Sequence, residues 1–144
     1  MNILVINGPN LNLLGIREPA HYGRETYDDL LAKIRAHAEA RGVGVEFYQS
    51  NHEGDLVDAI QSALAKFDGI VINPGAYTHT SIALLDAVKA VSLPTVEVHI
   101  SDVNAREEFR RISYIRAACM ATVAGHGTNG YLEAIDLLLE DARK

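Results

Sequence analysis

One cysteine in 144 residues, Cys119, rules out an intrachain disulfide and a four-cysteine zinc site. Basic residues are also sparse: 13 Lys and Arg stand against 19 Asp and Glu, the formal net charge is −6, and no basic run exceeds Arg110-Arg111. A sequence-independent grip on phosphate backbones needs a basic stripe, so nucleic acid is not an expected partner. An anionic small molecule is still compatible with this charge, because a few placed arginines and helix N-termini can hold one carboxylate. No apolar run approaches the roughly 20 residues of a spanning helix, and Met1 to Ile6 is too short, and lacks the basic flank, for a signal peptide. The expectation is a cytoplasmic protein without a membrane partner. The phosphate-binding pattern G-x-x-x-x-G-K-[ST] is missing, which leaves phosphoryl transfer unsupported. His79, His99, Glu97 and Asp86 have ligand-type side chains but no metal-site spacing such as H-E-x-x-H, so no metal is expected.

Apolar residues make up 48% of the chain and charged residues 22%, a balance that folds rather than staying disordered. The length suits one domain spanning residues 1–144. Short β-branched runs alternate with amphipathic stretches, the pattern of a parallel sheet covered by helices on both faces. The expected strands are Asn2 to Asn7, Val43 to Gln49, Gly69 to Asn73, Thr95 to Ile100 and Cys119 to Ala124. Tyr27, Leu30, Leu31, Ile34 and Ala38 mark a first helix, with Thr26 and Asp29 as its cap and Gly42 as its stop. Asp55 to Lys66 carries Leu56, Val57, Ile60 and Leu64 at helical spacing, Ser81 to Val91 makes a third helix, and Ala105 to Arg111 a short charged one. Tyr131, Leu132, Ile135, Leu138 and Leu139 give the last helix an apolar face. Five such units fit a flavodoxin-like α/β fold with sheet order 2-1-3-4-5, whose ligands sit beyond the carboxyl ends of the strands.

Those ends carry Asn7-Gly8-Pro9-Asn10, Asn51-His52-Glu53, Asn73-Pro74-Gly75, His99-Ile100-Ser101 and Gly125-His126-Gly127. The first connection, Gly8 to Glu25, far exceeds the usual two to six residues, as a lid or binding loop does. It holds Arg17 and Tyr22, and a guanidinium beside a phenol favours the phenolate, a base. Spacing alone favours the plainer reading, a surface tyrosine and a solvated arginine on a loop. Glu97 and His99, two apart on one strand, share a face. A carboxylate there can fix the imidazole's tautomer and favour its charged form, a proton donor, though a purely structural pair has the same pattern. Asp86, His79 and Arg110 could grip substrate hydroxyls, but Asp86 in a helix is more often a solvated face residue, His79 near a helix start more often a cap or turn partner, and one arginine in this stretch is expected on a solvated face. Gly125 to Gly130 matches G-x-G-x-x-G, but no further strand follows, so tight strand-to-helix packing is the reading rather than a dinucleotide site. Cys119 reads as a small core residue of a buried strand. A flavodoxin-like module binding FMN or another anion without catalysis is the competing class of function.

Asn7-Gly8-Pro9-Asn10-Leu11-Asn12-Leu13-Leu14-Gly15, with Arg17-Glu18-Pro19 and Tyr22-Gly23, resembles the N-terminal signature of the type II 3-dehydroquinases. Asn73-Pro74-Gly75-Ala76-Tyr77-Thr78-His79, Val96-Glu97-Val98-His99-Ile100-Ser101 and Arg106-Glu107-Glu108-Phe109-Arg110 match that family's other motifs in order, so the resemblance runs from about residue 2 to 140. It implies a lyase that dehydrates 3-dehydroquinate to 3-dehydroshikimate through an enolate without a cofactor, in the shikimate pathway or quinate breakdown. It further implies Tyr22 as base, Arg17 as the group holding it ionised, Asn10 as the positioner of a water at the enolate oxygen, His99 as acid and Glu97 as its partner. Asn73 with the amides of Ile100 and Ser101 would take the substrate carboxylate, and His79, Asp86 and Arg110 its ring hydroxyls, with Asp86 reaching a neighbouring subunit. Assembly as trimers and then a homododecamer is implied as well. Two positions depart from the family: Asp102 stands where Asn is usual, and His126 where an aromatic residue is common.

Overall fold

The isoleucines and valines of β1 (Asn2–Asn7) are buried on both sides, as a central parallel strand requires. The computed structural model describes residues 1–16 and 24–144. Around β1 lie β2 (Gly44–Gln49), β3 (Gly69–Asn73), β4 (Thr95–His99) and β5 (Ala121–Ala124), all parallel in the order β2-β1-β3-β4-β5. This is the expected flavodoxin-like order. Alternate residues divide the core: Ile3 and Val5 face one cluster, Leu4 and Ile6 the other. The first is closed by Leu30 and Ile34 of α1 (Tyr27–Ala40) and by Tyr131, Ile135 and Leu138 of α4 (Asn129–Ala142). The second is closed by Leu56 and Ile60 of α2 (Glu53–Ser62) and by Leu84 and Val88 of α3 (Ile82–Val91).

Helix α1 begins with a complete capping box, in which Asp29 N–H donates to Thr26 Oγ1 at 3.1 Å and Thr26 N–H to Asp29 Oδ2 at 3.0 Å. Ser81 caps α3, accepting from Leu84 N–H at 3.0 Å. Several boundaries differ from those read in the sequence. Beyond Ser62 the chain tightens into a 3-10 turn at Ala63–Ala65, so Ala63 eclipses Ile60 against the core and Leu64 swings out to solvent at 61% exposure. The charged helix expected over Ala105 to Arg111 is two 3-10 turns, Val103–Ala105 and Glu108–Arg111, because Arg106 is extended between them. Strand β4 stops at His99 rather than Ile100, and β2 starts at Gly44 rather than Val43. Cys119 lies outside β5: its N–H donates to Arg116 O at 3.2 Å and closes a 3-10 turn at Ile115–Ala118. Burial pushes its half-buried thiol up to about 12, so it is no nucleophile near neutrality.

The ends of β1 and β3 meet where the sheet order reverses. Gly8 N–H donates to Asn73 O at 2.8 Å, and a Cβ on Gly8 would lie 2.3 Å from Pro74 O. Only glycine lets these two loops approach so closely. In the 125–130 loop, Gly125 and Gly127 have φ of 82° and 60°, and a Cβ on Gly130 would press on Val123 and Val98. These glycines therefore serve backbone shape and helix-on-sheet packing.

Candidate active site

The carboxyl ends of β1, β3 and β4 open onto a cavity of about 160 Å³, bordered by Asn10, Asn73, His79, His99, Arg106 and Arg110 with the Ile100-Ser101 backbone. The switch point of the sheet is thus where polar side chains converge. Both oxygens of Glu97, which is fully buried, are engaged. His99 Nε2 lies 2.5 Å and Ser113 Oγ 2.7 Å from Oε2, while Thr122 Oγ1 lies 3.0 Å and Arg116 Nε 3.4 Å from Oε1. Burial alone raises the Glu97 carboxyl, but the hydrogen bond and charge of His99, then Ser113 and Arg116, outweigh it and hold the group below the ordinary glutamate value. An ionised Glu97 needs a hydrogen on Nε2. The other ring nitrogen of His99, Nδ1, has no hydrogen-bond partner among the described residues, and the ring borders the cavity. A proton on Nδ1 is therefore one that a ligand can receive.

Asn73 is held from behind. Its Oδ1 accepts Gly75 N–H at 3.1 Å and its Nδ2 donates to Tyr131 Oη at 2.9 Å, while Tyr131 donates in turn to Asn7 Oδ1 at 2.6 Å. The second Nδ2 hydrogen of Asn73 has no partner among the described residues and can meet an acceptor in the cavity. Burial pushes the Tyr131 phenol well above the ordinary range, so it stays a neutral relay between two amides. Tyr131→Phe leaves both buried amides short of a partner. It is expected to lower stability by about 1–3 kcal/mol, read as a drop in urea midpoint at constant slope; an unchanged midpoint would remove the relay's structural importance.

His79 Nδ1 lies 2.7 Å from the Ile112 carbonyl, so Nδ1 carries the hydrogen and Nε2 is left as an acceptor. Burial lowers its tendency to protonate, with the Ile112 contact opposing, and the neutral ring results near pH 7. Arg110 stacks on Phe109 at 5.1 Å and its Nε meets Glu107 Oε2 at 2.6 Å, which presets the guanidinium at the cavity. Asn10 adopts a left-handed conformation at φ 71°, tolerable for asparagine, and its N–H donates to Asn51 Oδ1 at 3.0 Å. The carbonyls of Ile100 and Ser101 are taken by Gly127 and Gly125 N–H groups at 3.1 Å each. Asp102 turns its carboxylate into a local cap, accepting Asn104 N–H at 3.1 Å, and His126 pairs with Glu133 at 2.7 Å.

Of the residues singled out in the sequence, Asn10, Asn73, His79, His99, Ile100, Ser101 and Arg110 come together around the cavity, with Glu97 behind His99. Arg17 and Tyr22 lie outside the described residues. Among the described residues, Gly15 and Glu25 lie close together, a Cβ on Gly15 falling 2.9 Å from Glu25 O. Asp86 does not join the cavity; it is exposed on α3. Sequence reasoning missed Ser113, Arg116 and Thr122 around Glu97, Arg106 in the cavity wall, and the hydroxyl of Tyr131, which read as one more apolar-face residue. The cross-strand register that sets Thr122 opposite Glu97 has no signature in the chain. Among the described residues, no group of three or more His, Cys, Asp or Glu could hold a metal, and no helix is long and apolar enough to cross a membrane.

The 2-1-3-4-5 parallel sheet defines a flavodoxin-like α/β protein, and a buried carboxylate–imidazole pair stands at the end of its fourth strand. The chain belongs to the class II dehydroquinase family, whose model, described as Dehydroquinase class II, matches residues 1–139. It is 57% identical over 136 residues to 3-dehydroquinate dehydratase 1 of Corynebacterium efficiens, covering 94% of this chain and 90% of that protein. The crystal structure of type II dehydroquinase from Butyrivibrio crossotus superposes with a TM-score of 0.95 at 54% identity, covering 96% of this chain and 97% of that one. The corresponding enzyme structure from Propionibacterium acnes gives 0.93 at 43% identity, with 97% of both chains covered.

Proposed function

We propose that this protein dehydrates 3-dehydroquinate to 3-dehydroshikimate, acting in the cytoplasm through an enolate and without a cofactor. The observation that carries the reading is His99, tethered at Nε2 by a buried carboxylate and bordering the cavity. In the proposed sequence the Tyr22 phenolate, held ionised by Arg17, takes the proton from the carbon alpha to the ketone. The electron pair moves onto the ketone oxygen, where a water positioned by Asn10 stabilises it. His99 then gives its proton to the hydroxyl beta to the ketone. The carbon–oxygen bond breaks as water leaves, the enolate collapses to re-form the ketone, and the new carbon–carbon double bond completes the enone. Tyr22 ends protonated and His99 neutral, so one proton exchanged with solvent resets the site.

The substrate carboxylate suits Asn73 Nδ2 with the amides of Ile100 and Ser101, and His79, Arg110 and Asp86 suit the ring hydroxyls. Asp86, exposed on α3, fits a contribution to a neighbouring copy's cavity in a trimer that assembles further into a homododecamer. The ketone supplies its own electron sink, so an imine is unnecessary. None of the four lysines, Lys33, Lys66, Lys89 and Lys144, borders the cavity to form one.

Purified protein mixed with 3-dehydroquinate is expected to produce a rising enone absorbance with no metal or nucleotide added, and borohydride with substrate should leave activity intact. Absence of any absorbance change from folded protein would reject this reading; inactivation by borohydride would reject the enolate route.

A further inference from the structure

We infer that Thr122, Arg116 and Ser113 act as positioning residues, gripping the Glu97 carboxylate in the single orientation that fixes His99 for proton donation. The inference rests on the acid role proposed for His99. An ionised carboxylate offers about four acceptor sites, and Glu97 has all of them used: His99 and Ser113 on Oε2, Thr122 and Arg116 on Oε1. Glu97 has no exposed surface, so water cannot replace a lost donor.

The delivery of these donors is built into the fold. Thr122 is the register partner of Glu97 across β4 and β5. Ser113 and Arg116 flank Ile115, which is fully buried in the second core cluster and pins their segment beneath the sheet. Tyr114 N–H donating to Thr78 O at 3.1 Å fixes the same segment from the other side.

Charge balance gives Arg116 a distinct part. The titratable and charged groups that act on Glu97 are His99 on its own strand, His79 from the loop after β3, and Arg116 and Cys119 from the segment before β5; the His99 ring also shares its cavity with Arg106 and Arg110, which stay charged in every variant below. The Cys119 thiol is pushed up to about 12 and His79 is neutral, so neither supplies a charge near neutrality. Once His99 has given up its proton, Arg116 is the one cation left against Glu97 among these groups. A buried carboxylate without a cation draws the proton back. Arg116 therefore holds Glu97 ionised through the half of the cycle in which His99 is neutral. Its side chain is 43% exposed, so solvent screens the effect and the expected size is modest.

The test follows the His99 ring resonances by NMR across pH in ligand-free protein, alongside kcat and KM with 3-dehydroquinate. In Arg116→Met the ring titration and the pH profile of kcat should both move to higher pH, by about half a unit, because a positive charge has gone from beside the coupled pair. Thr122→Val should lower kcat about tenfold with KM within about twofold, and Thr122→Ser should restore it. Arg116 lies on a half-exposed turn, so its variant reads the charge effect even if Thr122→Val fails to fold. An unmoved His99 titration in Arg116→Met, or Thr122→Ser as impaired as Thr122→Val, would overturn the inference. The titration needs no turnover, so an inactive wild type would count against the dehydration reading alone.

Discussion

Replacing His99 with asparagine is expected to lower kcat with 3-dehydroquinate by about 10²–10⁴-fold, the range of a positioned general acid. Asparagine is smaller than histidine but can still donate an N–H toward Glu97, so the buried carboxylate keeps one of its partners and the fold should survive. What disappears is the dissociable proton on the cavity side. Hydroxide is a poor leaving group, so without that proton the carbon–oxygen bond must break with full charge on oxygen. The loss should fall on kcat, because the proposed reaction uses His99 in the transition state of carbon–oxygen cleavage and assigns the holding of substrate to Asn73, Arg110 and the backbone amides. Steady-state kinetics beside a circular dichroism spectrum of the variant check this. A kcat within tenfold of the parent, in folded protein, would show that some other group delivers the proton.

The alternation of strands and helices was legible because most strands are short apolar runs bounded by glycine, proline or asparagine, and each main helix repeats its apolar residues at helical spacing. Local tightening was not legible. Leu64 fits the helical stripe of α2, yet the shift to a 3-10 turn puts Ala63 inside instead. The 105–111 segment has helix-favouring composition, but Asp102 capping Asn104 and the extended Arg106 divide it into two turns. Glu97 and His99 were readable as a pair since the period of a strand puts them on one face. Their supports were not, because Ser113, Arg116 and Thr122 are 16 to 25 residues away and reach Glu97 only through tertiary register. Tyr131 shows the same limit in reverse: its ring obeys the apolar periodicity, while its hydroxyl joins two amides 58 and 124 positions away. Periodicity reports where a side chain points and carries no information about what its polar tip meets.

The second large effect is expected of Tyr22→Phe, which keeps the ring and removes the oxygen that the proposed reaction uses as base. A free phenol with a pKa of about 10 is ionised at pH 7 to only about one part in 10³, so an unassisted tyrosine would be a weak catalyst. Assistance from Arg17 is what the assignment demands, and the removal of that phenolate should again lower kcat by about 10²–10⁴-fold. Equal losses in the two variants would leave their roles undistinguished, but isotope exchange separates them. If an enolate forms before the hydroxyl departs, His99→Asn should still exchange the alpha hydrogen of 3-dehydroquinate with deuterated solvent, since the base and the enolate-stabilising groups are intact. Tyr22→Phe should lose exchange and dehydration together. Exchange that persists in Tyr22→Phe and vanishes in His99→Asn would reverse the two assignments, making His99 the base and Tyr22 the acid.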